Sequence, residues 1–515
     1  MIETVTTDLP TRKGKRGKPA TILVTGATGY IGGRLVRELL AHRYKVRVLV
    51  RDPERLNDYP WRSQVDIVAG DASSGSALRE ALQGVDVAYY LLHALMSPAD
   101  FESEERNLAE TFGRIAKQQK VAKVVYLGGI TSGDSKLSPH MSARVATGEL
   151  LRASGVPTIE LRAGVVIGSG SASFEMLRHL TERLPFMVTP KWLNNRIQPI
   201  AIRDVLRYLV GAAALPDSIS EDFDIAGPDL FSYREMMQQY AEVAGLRRRI
   251  IIPLPVLTPK LASGWIGLVT PVPVTLARRL VESLKHEVVA RDDRIRDLIP
   301  DAPGGRTPFR EAVRLALTRI KDFEVETRWS NATVPGTPSQ PLPTDPSWAG
   351  GSLYMDERRY SSTDDVNTIW QRVEAIGGEH GYSTATWAWE LRGLLDRMIG
   401  GVGLRRGRRD PNHLMPGEAL DFWRVEKVER PTLLRLRAEM KLPGLAWLEF
   451  TLTPSESGGS LLSQRALYHP RGLFGHLYWW LVAPMHGIVF PSMAKKLAGA
   501  SARRQSRPGK KERKA

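Results

Sequence analysis

Residues 21–32 read Thr21-Ile-Leu-Val-Thr25-Gly26-Ala27-Thr28-Gly29-Tyr30-Ile31-Gly32, and this stretch decides the fold of the first half of the chain. Thr21–Thr25 is a short run of aliphatic and β-branched residues, as in a buried strand. From residue 30 the period changes: Ile31, Leu35, Val36, Leu39 and Leu40 fall on one face of a helix over 30–42. Between strand and helix the glycines recur as G-x-x-G-x-x-G. Such a turn brings the backbone close to a pyrophosphate and packs the helix tightly on the strand. The first N–H groups of the helix and its positive dipole end then face the phosphates. The spacing therefore predicts a dinucleotide site at Gly26, Thr28, Gly29, Tyr30, Ile31 and Gly32.

Working outward, Lys45–Arg51 is a second strand, and 65–69, 85–92, 123–127 and 158–167 are further strands, with helical stretches between most of them. Repeated βα units imply a doubly wound parallel sheet of the Rossmann kind, with helices on both faces. The end of the second strand selects the coenzyme. NAD sites place a carboxylate there for the ribose hydroxyls, whereas NADP sites use arginine for the 2′-phosphate. Arg51 stands there, so NADP is expected. With Asp52 facing the ribose instead, NAD stays open. Asp71, with Ala72 beside it, is placed to contact the adenine. Leu91, Leu92 and His93 end the fourth strand and would flank the adenosine ribose.

The chain of 515 residues is 42% apolar and 25% charged, which excludes a fibrous or wholly disordered protein. It has no cysteine, so disulfides, thiolate metal sites and cysteine nucleophiles are excluded. Neither H-E-x-x-H, G-x-S-x-G nor a P-loop occurs, the ten histidines lack metal spacing, and no metal site is expected. No run of 18 or more residues is continuously apolar, so no ordinary spanning helix is expected. The polar, basic opening residues hold no signal-peptide core, and the reading is a cytoplasmic protein. Net charge is +16. Residues 1–20 hold five basic and two acidic side chains and 501–515 seven and one, so the ends carry +3 and +6. Residues 1–19 and 501–515 are expected as disordered basic tails, solubilising or in weak peripheral contact with an anionic membrane. No motif for specific nucleic-acid binding accompanies them. Five prolines in 331–347 mark a linker between a unit at 20–330 and another at 348–500. Residues 250–281 are apolar but interrupted by five prolines, as in a packing segment, a lid over a cleft or an interfacial membrane anchor.

Ile-Leu-Val-Thr-Gly-Ala-Thr-Gly-Tyr-Ile-Gly, Val-Leu-Val-Arg-Asp-Pro, Val-Ala-Gly-Asp and Leu-Arg-Ala-Gly-Val-Val-Ile-Gly resemble the extended and atypical short-chain dehydrogenase/reductase superfamily, nearest its NmrA-like and complex I accessory-subunit branch. The resemblance covers about 20–325, and residues 200–205 and 223–228 look like that group's substrate lobe. It implies NAD(P)(H) binding. The oxidoreductases of the superfamily use Tyr-x-x-x-Lys on one helix, and no tyrosine here has lysine four residues later. Aligning Glu149 with the usual glutamate puts Met141 at the tyrosine and Val145 at the lysine. The usual serine gives way to Gly128-Gly129, with Thr131 and Ser132 nearby. His140 and Arg144, four apart, form either a substitute relay or a solvent-facing pair. No catalytic residue is therefore assigned.

The second unit alternates differently. Leu434, Leu436, Ala438 and Met440 interleave with charged residues, Leu448, Phe450 and Leu452 with Glu449, Thr451 and Thr453, and 461–468 is another strand. This predicts an antiparallel sheet with two unlike faces, flanked by helices at 363–376 and 472–499. Eight of the 12 tryptophans lie in 348–500. The order of elements resembles the α+β helix-grip fold of polyketide cyclases and START-like lipid carriers. It also looks like a domain of unknown function that NmrA-like bacterial proteins carry at this end. That resemblance implies a cavity for a hydrophobic small molecule. Together the two units suggest an NAD(P)H-dependent oxidoreductase acting on a quinone-like or polyketide-like compound. The alternative is a non-catalytic NADP(H)-sensing regulator or assembly factor.

Overall fold

The computed structural model describes residues 6, 8–14, 17–57, 59–92, 101–131, 137–254, 281–282, 285–321, 353–378, 381–382, 413–455, 458–499 and 502–504. The chain forms two compact units, Met1–Gly351 and Ser352–Ala515. The expected linker at 331–347, most of the segment 250–281, Trp348, Trp387 and Trp389 lie outside the described residues.

The first unit runs β1 (Thr21–Thr25), α1 (Tyr30–Ala41), β2 (Lys45–Val50), β3 (Asp66–Ala69), α2 (Gly75–Leu82), β4 (Val87–Tyr90), α3 (Phe101–Gln118), β5 (Lys123–Gly129), α4 (Pro139–Ala153), β6 (Thr158–Ala163) and β7 (Val166–Ile167). It continues with α5 (Ala172–Arg183), β8 (Phe186–Pro190), β9 (Arg196–Ile197), β10 (Ile200–Ala201), α6 (Ile202–Ala214), β11 (Asp222–Ile225), β12 (Phe231–Ser232), α7 (Tyr233–Val243), β13 (Ile250–Leu254), α8 (Ile295–Leu298) and α9 (Phe309–Lys321). Seven strands form one sheet in the order β11-β6-β5-β4-β1-β2-β3, every pair parallel. Side chains alternate across it as strand geometry demands. Ile22 and Val24 pack with Leu35 and Leu39 of α1 and Val205 and Leu209 of α6. Leu23, Ala88 and Tyr90 turn to Leu78, Phe112, Ile115 and Leu151 of α2, α3 and α4. The strand order reverses at β1, with β2 on one side and β4 on the other. That switch point opens a crevice at the carboxyl ends of β1 and β4.

The single strand expected over 158–167 is two. Gly164 breaks it, because a side chain there would lie 2.9 Å from Val288 and 3.1 Å from the Gln198 carbonyl oxygen. β7 instead pairs with β10 and leads into a lobe whose core joins Phe174, Leu177, Met236, Tyr240 and Val313.

The expected disordered tail at 1–19 is corrected by its described residues. Thr6 is fully buried and donates to the Glu38 carboxylate at 3.0 Å, and Leu9 joins the sheet core. Asp8 pairs with Arg207 at 2.7 Å and Arg12 with Asp217 at 2.6 Å. These partners stand 199 and 205 residues away, so local charge patterning could not reveal them.

In the second unit, β14 (Tyr354–Ser362) precedes α10 (Val366–Glu374), β15 (Ala419–Leu420), β16 (Trp423–Glu429), β17 (Leu433–Ala438), β18 (Gly444–Pro454), β19 (Ser460–Pro470), α11 (Gly472–Ala498) and β20 (Arg503–Arg504). An antiparallel sheet follows, in the order β15-β16-β17-β18-β19-β14-β20. Leu434, Leu436, Leu448, Phe450, Leu452 and Leu462 line one face. They pack with Ile369 and Val373 of α10 and with Phe490, Met493 and Leu497 of α11. Asp365 starts α10 by accepting the Thr368 N–H at 2.8 Å. On the opposite face Glu449 sits between Arg435 and Arg465 of the flanking strands. Arg503–Arg504, placed in a disordered tail by composition, pairs with β14. Residues 501 and 505–515 of that tail lie outside the described residues.

Helix α11 is 27 residues long and, by length and composition, apolar enough to cross a bilayer.

Candidate functional site

The crevice at the switch point is built from main chain. Thr25 ends β1, and its hydroxyl donates to the Tyr89 carbonyl at 2.8 Å and accepts the Leu91 N–H at 3.2 Å. This clamps the ends of β1 and β4 together. Gly26 then turns with φ +70°, in the left-handed region, and a side chain there would lie 2.5 Å from the Leu91 carbonyl oxygen. A side chain on Gly32 would stand 2.2 Å from the Gly26 carbonyl oxygen. Both glycines are thus demanded by close backbone approach, as the motif requires.

Gly29 caps α1 and is exposed, with no side chain to satisfy the opening N–H groups, and the first turn carries no acidic residue. That end of the helix is an uncompensated positive pole, suited to an anion. Thr28, Tyr30 and Ile31 are half-buried around it. Arg34, one turn further, is buried, lies 4.0 Å from the centre of the Tyr30 ring and donates to the Tyr30 carbonyl at 2.9 Å. Gly168, after β7, backs the same ring, since a side chain there would meet the Tyr30 hydroxyl at 2.4 Å. These residues fit a pyrophosphate: bare backbone donors, a helix pole and no neighbouring carboxylate in the first turn.

Arg51 follows β2 and is exposed. Asp52 accepts the Glu54 N–H at 3.0 Å and starts the 3-10 turn Pro53–Leu56, so its carboxylate is engaged locally. Asp71, at the end of β3, accepts the Ser73 N–H at 2.8 Å. Its carboxyl is held below the usual range by Ser73, with a smaller contribution from Arg51. Arg51 is thus within electrostatic reach of Asp71, and Ala72 and Leu91 are half-buried. His93 and Ser132 lie outside the described residues.

Across the crevice, β5 ends at Gly129 and α4 begins after Ser138, whose hydroxyl accepts the Met141 N–H at 3.3 Å. Met141 Cε and Arg144 Nε lie 3.4 and 3.5 Å from where a Gly129 side chain would begin. Arg144 Nη2 donates to the Leu127 carbonyl at 2.7 Å. The solvent-facing alternative for His140 and Arg144 is corrected: His140 is buried and Arg144 is half-buried against β5. Arg144 is the residue whose placement the sequence reading undervalued. Its position one residue before the expected lysine was the available signal. Among the described residues no group of three or more histidines and carboxylates could hold a metal ion.

Residues 26–167 match a family described as NAD(P)H-binding, and residues 348–493 match one described as a protein of unknown function (DUF2867). The chain is similar to a ceramide reductase of Caulobacter vibrioides, 26% identical over 255 residues, covering 48% of this chain and 78% of the relative. It is also similar to NADH dehydrogenase [ubiquinone] 1 alpha subcomplex subunit 9 of Mus musculus, 22% identical over 270 residues, covering 50% and 70%. A solved triphenylmethane reductase of Citrobacter sp., complexed with NADP(H), aligns with 58% of this chain and 100% of its own at 19% identity and a TM-score of 0.47. The first unit thus holds an NAD(P)H-binding domain, similar to proteins of the NmrA-like, atypical short-chain dehydrogenase/reductase kind, and the second unit carries a DUF2867 domain of unknown function.

Proposed function

We infer that the protein is an NADPH-dependent reductase of a hydrophobic, quinone-like or conjugated carbonyl compound. The observation that carries this reading is Arg144, fixed beside Gly129 at the open end of β5, across the crevice from the glycine loop. Bound with its diphosphate on the loop, the coenzyme would supply a hydride. The chain's own residues would do the rest. Gly26, Gly29 and Gly32 give backbone access to the diphosphate, and Arg51 offers its guanidinium to a 2′-phosphate while Asp52 is engaged as a cap. Met141 and Val145 hold no proton to transfer, so an ordinary alcohol–ketone interconversion lacks its acid. Arg144 cannot release a proton either, but it can hold negative charge on an acceptor oxygen. That favours acceptors whose reduced anion is delocalised and takes its proton from water. A relative named for reducing ceramide and another named as a subunit of a ubiquinone-linked NADH dehydrogenase are in keeping with hydrophobic acceptors.

A second reading follows from Met141 and Val145 themselves. A domain that binds the coenzyme and lacks a proton relay would serve as a sensor of the NADP⁺/NADPH ratio. Calorimetric titration with NADPH and NADH, followed by a turnover screen over quinones, enones and simple ketones, separates the two. Tight NADPH binding with quinone or enone turnover supports the reductase. Tight binding with no turnover supports the sensor, and binding of neither coenzyme overturns both.

A further inference from the structure

Among the described residues, the first two-thirds of α11 present an exposed apolar face. Phe474, Leu477, Trp480, Leu481 and Ile488 are 72, 55, 68, 78 and 65% exposed. Their spacing of three, four and seven residues puts them along one side of a helix. At ~1.5 Å rise per residue the stripe is roughly 20 Å long. The opposite side is anchored. Trp479, Val489, Phe490, Met493 and Leu497 are buried, and Phe490, Met493 and Leu497 belong to the core under the sheet. A row of this length, with two bulky aromatics, is more than scattered surface hydrophobicity.

The charges around the stripe name its occupant. No acidic residue occurs from Gly472 to Arg504. Arg471 stands exposed at the start of the helix, Lys495 and Lys496 in its last turn and Arg503 and Arg504 on β20 beyond it. An uncharged apolar face flanked by cations at both ends matches a surface with an apolar interior and an anionic skin. Tyr478 and Trp480 are the amphipathic rings that settle at such a boundary. We propose that α11 docks the second unit onto an anionic lipid bilayer, lying in the interface with Phe474, Leu477, Trp480, Leu481 and Ile488 among the acyl chains and Arg471, Lys495 and Lys496 at the headgroups. The helix does not span, because lifting it out would strip Phe490, Met493 and Leu497 from the core of the sheet.

The test uses the full-length protein and vesicles of phosphatidylcholine with or without phosphatidylglycerol. The wild type floats with the anionic vesicles at low salt and less well as salt rises. Its tryptophan emission shifts to the blue on vesicle addition, and Trp480→Phe removes most of that shift. Leu477→Asp with Leu481→Asp lowers partitioning roughly 100-fold and leaves the melting temperature unchanged, since both side chains are exposed. Should the double variant fold poorly, the fluorescence of Trp480→Phe decides alone. Absence of flotation by the wild type at low salt overturns the proposal. So does full binding by the double variant, which would move the contact to the basic termini or to the exposed pairs Phe186–Ile250 and Val188–Ile252 on β8 and β13. A double variant that turns a dimer into a monomer, with no lipid binding by the wild type, makes the stripe a protein interface and overturns it as well.

Discussion

Arg144 on α4 donates to the main-chain oxygen of Leu127 on β5 at 2.7 Å, with its Nε beside Gly129. A guanidinium held this way is preorganised: its orientation is set by the sheet before any substrate arrives. Replacing it with glutamine keeps a donor but removes the charge. Arg144→Gln is expected to lower kcat for a quinone acceptor by about 100-fold, the scale of one lost oxyanion donor, with NADPH affinity unchanged. Stopped-flow oxidation of NADPH beside a binding titration reads both. Equal loss in Kd and kcat would make Arg144 a structural residue only.

The glycine loop separates folding from binding. Gly32→Ala places a methyl 2.2 Å from the Gly26 carbonyl oxygen and should damage the fold itself. Gly29 is exposed, and among the described residues a side chain there meets only the Gly26 carbonyl oxygen at 3.1 Å. Gly29→Asp should therefore fold while putting a negative charge where a diphosphate would sit. The expected result is an unchanged melting temperature and NADPH affinity at least tenfold weaker, since each ~1.4 kcal/mol is a factor of ten. Calorimetry and thermal denaturation on the same sample check this.

Coenzyme choice should move with Arg51. It is exposed at the end of β2, while Asp52 is tied to Glu54. Arg51→Ala is expected to weaken NADPH by roughly 10- to 100-fold, the worth of a charge-assisted bond to a phosphate, and to leave NADH within about twofold. Equal losses for both coenzymes would place the 2′-phosphate elsewhere.

Much of the architecture was legible because it is local. The period change at residue 30, the glycine spacing and the alternation at Leu434–Leu436 and Leu448–Leu452 each express backbone geometry within a few residues. What stayed hidden depends on distance in the chain. Thr6 finds Glu38, Asp8 finds Arg207 and Arg12 finds Asp217, so a stretch with a tail's composition becomes part of the core. Gly164 splits an apparent strand because Val288 and Gln198 approach it. Arg144 read either as half of a relay or as a solvent-facing residue, and only the path of β5 shows what it faces.

Glu449 is 1% exposed and is shared by Arg435, at 2.8 Å, and Arg465. Removing the anion leaves two cations side by side with little water to screen them. Glu449→Gln is expected to cost about 3–5 kcal/mol, read as a shifted denaturation midpoint with an unchanged slope. A cost below about 1 kcal/mol would mean the row is solvated and worth no more than a surface pair.

Lys123 opens β5 with its side chain fully buried. Its ammonium donates to the Leu215 carbonyl and stands 3.5 Å from Asp217, which is also paired with Arg12. Burial first, then the positive Arg12, draws its pKa down from 10.5 to about 8, against the pull of Asp217. Below pH 8 both folded and unfolded chains carry the proton, and the folded state bears the whole cost of the buried charge. Between pH 8 and 10.5 the unfolded chain holds more protons, so this residue makes stability rise with pH across that window, by at most about 3 kcal/mol. Lys123→Met removes the charge and leaves Asp217 with Arg12, though the Leu215 carbonyl loses its donor. The net expectation is a gain of about 1–2 kcal/mol at pH 7. Compared with the variant, the wild type should gain stability from pH 8 to 10.5. Urea denaturation of both proteins at intervals across that range tests the linkage. A constant difference between them at every pH would show that Lys123 titrates as an ordinary exposed amine.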